Sequence, residues 1–197
     1  METISNVLFW ISNGLLVPVV VLLLLFLIRA LVLAGTFFGE YLRRKDVQKQ
    51  LAALLEDGAP DLEKGLDTLP KDAKSPLLKA VGQLQAHADD KIWCERLLAN
   101  YEVDAEKELG HSRTLAKVGP MLGLMGTLIP MGPALVGLAA GDLASMAYNM
   151  QVAFATTVVG MLVAAIGVVT LQVRQRWYAR ELNDLEYLAQ KLGHEKE

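Results

Sequence analysis

Residues 118–171 read VGPMLGLMGTLIPMGPALVGLAAGDLASMAYNMQVAFATTVVGMLVAAIGVVTL, and this stretch decides the fold. A helix that crosses a bilayer needs about 20 consecutive, mostly apolar residues. Two such segments lie here, one from Val118 to about Ala140 and one from about Met146 to Leu171. Neither contains Asp, Glu, Lys or Arg. Only Gly141-Asp142-Leu143-Ala144-Ser145 separates them, so the spacing predicts two membrane spans joined by a tight turn into an antiparallel hairpin.

A third apolar segment lies upstream, from about Val7 to Phe38, and carries the leucine run Leu22–Leu25. Its one charge, Arg29, falls near an interface if the membrane begins at Val7, and its side chain can snorkel there. Trp10 then stands at the opposite interface as an aromatic anchor. The segment has no basic residues ahead of it and is too long for a signal peptide, so it reads as a retained anchor. The whole chain of 197 residues is 53% apolar and 21% charged, with mean hydropathy +0.32. Polar and apolar residues are kept in blocks rather than mixed with a helix or strand period. The fold class expected is an all-α integral membrane protein. Three transmembrane helices extend into a helical cytoplasmic domain. The expected parts are 1–40 (outer N-terminus and first span), 41–117 (cytoplasmic helices), 118–172 (the hairpin) and 173–197 (a cytoplasmic C-terminal helix).

Basic residues set the orientation. Arg43, Arg44, Lys45 and Lys49 follow the first span, Lys107, Arg113 and Lys117 precede the second, and Arg174, Arg176 and Arg180 follow the third. All fall on one side, which is expected to be the cytoplasm, leaving the N-terminus and the 141–145 turn outside. Trp177 and Tyr178 are expected to mark the inner interface.

Between the first two spans, Tyr41–Leu55 continues the first helix with Leu51, Leu54 and Leu55 apolar, and Asp57-Gly58-Ala59-Pro60 breaks it. A short helix is expected over Asp61–Leu69, ended by Pro70. Ser75-Pro76 reads as an N-cap with proline at the first helical position, opening a helix to about Ala88. From Asp89 no proline or glycine intervenes before Gly110. Ile92, Leu97, Leu98, Tyr101 and Leu109 recur at helical spacing, so one long helix should run into the second span. The acidic run Glu95, Glu102, Asp104, Glu106 and Glu108 is either a solvated face or a docking surface.

A net charge of −3 argues against nucleic acid as a partner. The single Cys94 stands in a charged helical stretch with no catalytic motif around it. His87, His111 and His194 are far apart and have no ligand spacing. Nothing in the chain has the pattern of a metal constellation, a nucleophile–base pair or a phosphate loop, so an enzyme is not expected.

In the second span, Gly119, Gly123 and Gly126 fall on one helical face, which lets another helix approach closely. Pro120 and Pro130 each free a backbone carbonyl, tolerable only against protein or water. Thr127 and Thr157 stand at matching distances from the turn, about 21–23 Å at helical rise. Two hydroxyls at one depth can line a polar path, or each can bond back to its own helix carbonyl. Apart from Tyr148, whose phenol ionises near pH ~10, the two spans hold no titratable side chain. A hydroxyl can relay or solvate an ion but cannot hold a proton reversibly near neutral pH. Arg29 stays cationic throughout and cannot substitute. Selective proton conduction would therefore need an ionisable group from another chain.

These residues resemble the MotA/TolQ/ExbB proton-channel family. Its second-span signature, a proline and then Gly-Leu-x-Gly-Thr, is similar to Pro120 followed by Gly123-Leu124-Met125-Gly126-Thr127. Its third-span signature resembles Thr157-Val158-Val159-Gly160 with Ala164-Ala165 beyond. The order of elements also resembles that of ExbB and TolQ. The resemblance implies a channel-forming subunit of an ion-driven motor, a homo-pentamer in a prokaryotic cytoplasmic (inner) membrane. Its partner would be a single-span ExbD/TolR/MotB-like protein, whose intramembrane aspartate carries H⁺ or Na⁺. No cofactor is implied. Thr127 and Thr157, with Thr156 beside it, would line the ion path, and Pro120, Gly123, Gly126 and Gly160 would pack the pore helices. Two positions depart from the pattern. Val152 stands where ExbB and TolQ usually carry glutamate, which is closer to the flagellar stator branch, although stator subunits of that branch have four spans. Pro130 stands where the family usually has glycine. The alternative reading is a non-conducting membrane scaffold of the same shape.

Overall fold

The computed structural model describes residues 2–56 and 75–194. Among them are four helices and no strand: α1 (Glu2–Glu56), α2 (Pro76–Ala86), α3 (Lys91–Ala139) and α4 (Leu143–His194). α1, α3 and α4 each contain a segment long and apolar enough to cross a membrane. The break expected at Asp57–Pro60, the short helix over Asp61–Leu69 and its stop at Pro70 lie outside the described residues.

Local chemistry fixes the helix ends. α1 runs past Tyr41 without interruption. α2 begins at Pro76 as expected, but the Ser75 hydroxyl makes no capping bond, and the helix stops at Ala86 rather than Ala88. The His87 N–H turns back to Leu84 O at 3.3 Å, which closes the last turn early. α3 starts at Lys91, where the Asp90 carboxylate accepts the Trp93 N–H at 3.0 Å as an N-cap.

α3 passes through Pro120, Pro130 and Pro133 without a break. Its end is a Schellman turn: Asp142 N–H reaches Gly137 O at 2.8 Å and Gly141 N–H reaches Leu138 O at 3.1 Å. Gly141 takes φ +75°, a left-handed conformation that glycine adopts without a Cβ clash. Asp142 then caps α4 by accepting Ser145 N–H at 3.0 Å. The turn is thus shorter than the 141–145 expectation, because this double cap draws Leu143, Ala144 and Ser145 into α4.

The chain divides into two compact units. Residues 1–35 and 110–171 form the apolar unit, and 36–109 and 172–197 the polar unit. In the apolar unit, Val19 and Leu23 of α1 bury against Leu122, and Ala30 buries against Leu115 and Val163. Phe26 and Val159 pack on both clusters. The α1 positions 19, 23, 26 and 30 form a single helical stripe, the spacing that carries one face onto a neighbour. The opposite faces leave large apolar side chains such as Leu24, Ile28, Leu128 and Phe154 exposed, as a lipid- or partner-facing surface requires.

The polar unit is built around Glu181 of α4, only 1% exposed. Its carboxylate takes Arg44 Nη1 of α1 at 2.6 Å and the Tyr101 hydroxyl of α3 at 2.6 Å. Gln48 adds a longer bond at 3.4 Å. Tyr178 donates to Glu108 and accepts from Arg44 Nη2 at 3.2 Å. Burial first, then the Glu181 carboxylate, pushes the Tyr101 phenol above its ordinary value, and burial with the Glu108 bond does the same for Tyr178. Both therefore remain donors at any physiological pH. The Arg44 guanidinium also lies over the Trp177 and Tyr178 rings, 5.4 and 4.8 Å from their centroids. Trp177 stacks on Phe37 at 5.4 Å. Trp177 and Tyr178, expected to mark the inner interface, are buried within this unit. Arg174 is likewise internal, paired with Glu40 at 2.9 Å.

The single long helix expected from the periodic set on α3 forms, running unbroken from Lys91 to Ala139. Tyr101 and Leu109 are buried, but Ile92 is 81% exposed, and Cys94 and Ala105 occupy the buried face instead. The Cys94 thiol donates to His87 O at 3.4 Å, and burial followed by the nearby Asp90 charge raises its pKa. That is an unreactive setting for a nucleophile.

Candidate ion path

The hairpin of α3 and α4 is held by backbone-to-backbone approach. A Cβ placed on Gly160 would stand 2.7 Å from Gly123 Cα and 2.8 Å from Gly119 O. One on Gly119 would stand 3.0 Å from Gly160 O, and one on Gly167 2.5 Å from Ala116 N. Positions 116, 119, 123 and 126 of α3 therefore face 156, 160, 163 and 167 of α4, a small-residue seam at alternating three- and four-residue steps.

The three candidate threonines stand beside this seam. Thr156 is buried inside it: a Cβ on Gly126 would meet the Thr156 side chain at 2.5 Å. Its hydroxyl bonds to Ala153 O at 2.9 Å and Val152 O at 3.1 Å. Thr127 and Thr157 are half-buried at the seam's edge. Thr127 donates to Leu124 O at 2.7 Å, and Thr157 to Ala153 O at 3.1 Å. Each hydroxyl thus gives its proton to its own helix. Back-bonding leaves the oxygen lone pairs as acceptors, so these groups can still coordinate a cation or a water. Pro120 points outward, on a face that α4 does not cover, while the Pro130 side chain is fully buried.

Sequence reasoning missed two polar elements. Thr170 donates to Ser112 at 3.2 Å, a buried hydroxyl pair that continues the seam toward the polar unit's end of the hairpin. Neither residue belongs to a motif, although Ser112, Ala116 and Gly119 share the seam's spacing. The Glu181 centre was also invisible, since its partners lie 80 and 137 positions away in the chain. Among the described residues, no group of three or more His, Cys, Asp or Glu side chains is placed to hold a metal ion.

Three long apolar helices, two of them clasped along a glycine seam, define an all-helical, multi-pass membrane protein. The model of the MotA/TolQ/ExbB proton channel family matches residues 71–187, more than half of the chain, and the chain belongs to that family. It is a channel-type membrane protein rather than an enzyme. Comparison with curated proteins gives no match.

Proposed function

We propose that this chain is the channel-forming subunit of an ion-driven motor in a prokaryotic cytoplasmic membrane. It couples the flow of H⁺ or Na⁺ to mechanical work through a single-span ExbD/TolR/MotB-like partner. The subunit forms a homo-oligomer, a pentamer by resemblance, with its N-terminus outside and its C-terminus in the cytoplasm. The carrying observation is the pair of half-buried hydroxyls, Thr127 and Thr157, in a hairpin whose spans hold no acid, base or histidine. Their free lone pairs suit an ion in transit, and an aspartate on the partner would supply the reversible proton site. Thr156 stands behind them in the seam, where Gly123, Gly126 and Gly160 keep the two helices in register.

Thr157→Val and Thr127→Val remove a hydroxyl at nearly constant volume. Assembly should persist, and ion-driven work in the source cell should fall by roughly two orders of magnitude, the lower end of what loss of a positioned polar group costs. Full activity in both variants would remove the ion-path assignment. A second reading, a non-conducting scaffold, draws on Val152 and on the back-bonded state of all three hydroxyls. Native mass spectrometry of the complex from its own membrane separates the two. An aspartate-bearing single-span partner inside the ring supports the motor, and a homo-oligomer without one supports the scaffold.

A further inference from the structure

In the polar unit three glutamates of α3 and two arginines of α4 stand on opposite faces of the helix pair, at matched heights. Tyr101 of α3 donates to Glu181 of α4 at 2.6 Å, so these two side chains point at each other, and taking their residues as level sets the register of the pair. The helices run antiparallel, and each step toward the C-terminus of α3 matches one toward the N-terminus of α4. Glu102 is therefore level with Arg180, Glu106 with Arg176, and Glu95 with Tyr187.

Helical rotation then sorts them by side. Seen down one axis, the steps from 101 to 102 and from 181 to 180 turn both side chains about 100° in the same sense. Because Tyr101 and Glu181 begin face to face, that common turn sends Glu102 and Arg180 to opposite lateral faces of the helix pair. The other two level pairs end similarly, at about 140° and 120°. One face thus presents Glu95, Glu102 and Glu106, and the other Arg176, Arg180 and Tyr187, all exposed.

The acidic face also holds a groove of about 640 Å³, lined by Lys91, Glu95 and Leu98 of α3 and by Glu186 and Gln190 of α4. Tyr187, 47% exposed, stands on the opposite face at the height of Glu95. Rotation about an axis parallel to the helices keeps every residue at its own height. Complementary groups on opposite faces at equal height are what a closed, head-to-tail ring requires.

We propose that copies of this chain dock side by side through the polar unit, with Glu102 of one copy paired to Arg180 of the next and Tyr187 seated in the neighbour's α3/α4 groove. The inference rests on the homo-oligomer reading above and adds the surface, its polarity and its residues. Such a contact would hold the ring from outside the bilayer, where charge selects the partner face and fixes its height.

The test uses the full-length chain in its membrane. Two differently tagged Cys94→Ser copies are co-expressed, one carrying Glu102→Cys and the other Arg180→Cys, and treated with a short bismaleimide. A doubly tagged cross-linked dimer is expected, and none when both copies carry Glu102→Cys. In parallel, Glu102→Arg and Arg180→Glu should each make the oligomer dissociate at lower salt, and the two together should restore it. An intact oligomer with no 102–180 product, or with single reversals as salt-resistant as the wild type, would overturn the proposed contact and leave the channel reading standing. A wild-type chain that is monomeric in mild detergent would overturn both.

Discussion

Gly160→Leu is expected to abolish the folded hairpin, and Gly160→Ala to destabilise it by about 1–3 kcal/mol, the usual range for overpacking. The opposing atoms are Gly123 Cα and Gly119 O, both main chain. No rotamer change can relieve that contact, so the added carbon must push α3 and α4 apart along their length. Separation would loosen Thr156 against Gly126 and the Ser112–Thr170 bond together. Gly110, inside α3, is the matched control, since a Cβ there meets nothing within 4 Å. Gly110→Ala should leave the protein as stable or raise stability by up to about 1 kcal/mol, through the lower entropy cost of alanine in a helix. Thermal unfolding of the detergent-solubilised protein, followed by helical circular dichroism, checks both. Equal tolerance at positions 110 and 160 would contradict the seam.

Glu181→Ala should cost about 3 kcal/mol, the lower end for breaking a buried ion pair. The Glu181 side chain is 2% exposed and that of Arg44 15%, so water recovers part of what the guanidinium loses. The Tyr101 hydroxyl also loses its acceptor. Glu181→Gln keeps an acceptor without the charge and should fall between alanine and wild type. Arg44→Met, Glu181→Leu and Tyr101→Phe combined remove the three central partners together, leaving Tyr178 bonded to Glu108 and only the long Gln48 bond unmade, and most of the loss should return, because an apolar core of similar volume replaces the pair. Limited proteolysis at the polar unit gives the readout. If Glu181→Ala resists protease as well as the wild type, the network does not hold the unit.

Much of the fold was legible because the membrane imposes a coarse rule. Length and apolarity suffice to find three spans, and the polar break at 141–145 suffices to locate the turn but not its length. What the sequence left open was decided by how the helices pack. Ile92 stands nine residues, about two and a half turns, before Tyr101, so it falls on the opposite side of α3 and is left exposed. Trp177 resembles an interfacial anchor until Phe37 and Tyr41 are found against it. The candidate site divides in the same way. Thr127 and Thr157 could be paired by counting from the turn, but the burial of Thr156 needed the position of Gly126.

By itself, then, the sequence determined the helical class, the number of spans and the absence of any titratable group but Tyr148 within the two hairpin spans. Hydrophobic run length and local capping are properties of contiguous residues. Only the tertiary structure decided which glycines touch, which threonine is buried, and that Arg44, Tyr101 and Glu181 meet. Those contacts join residues far apart in the chain, and they depend on the rotation of one helix against another, which no local pattern records.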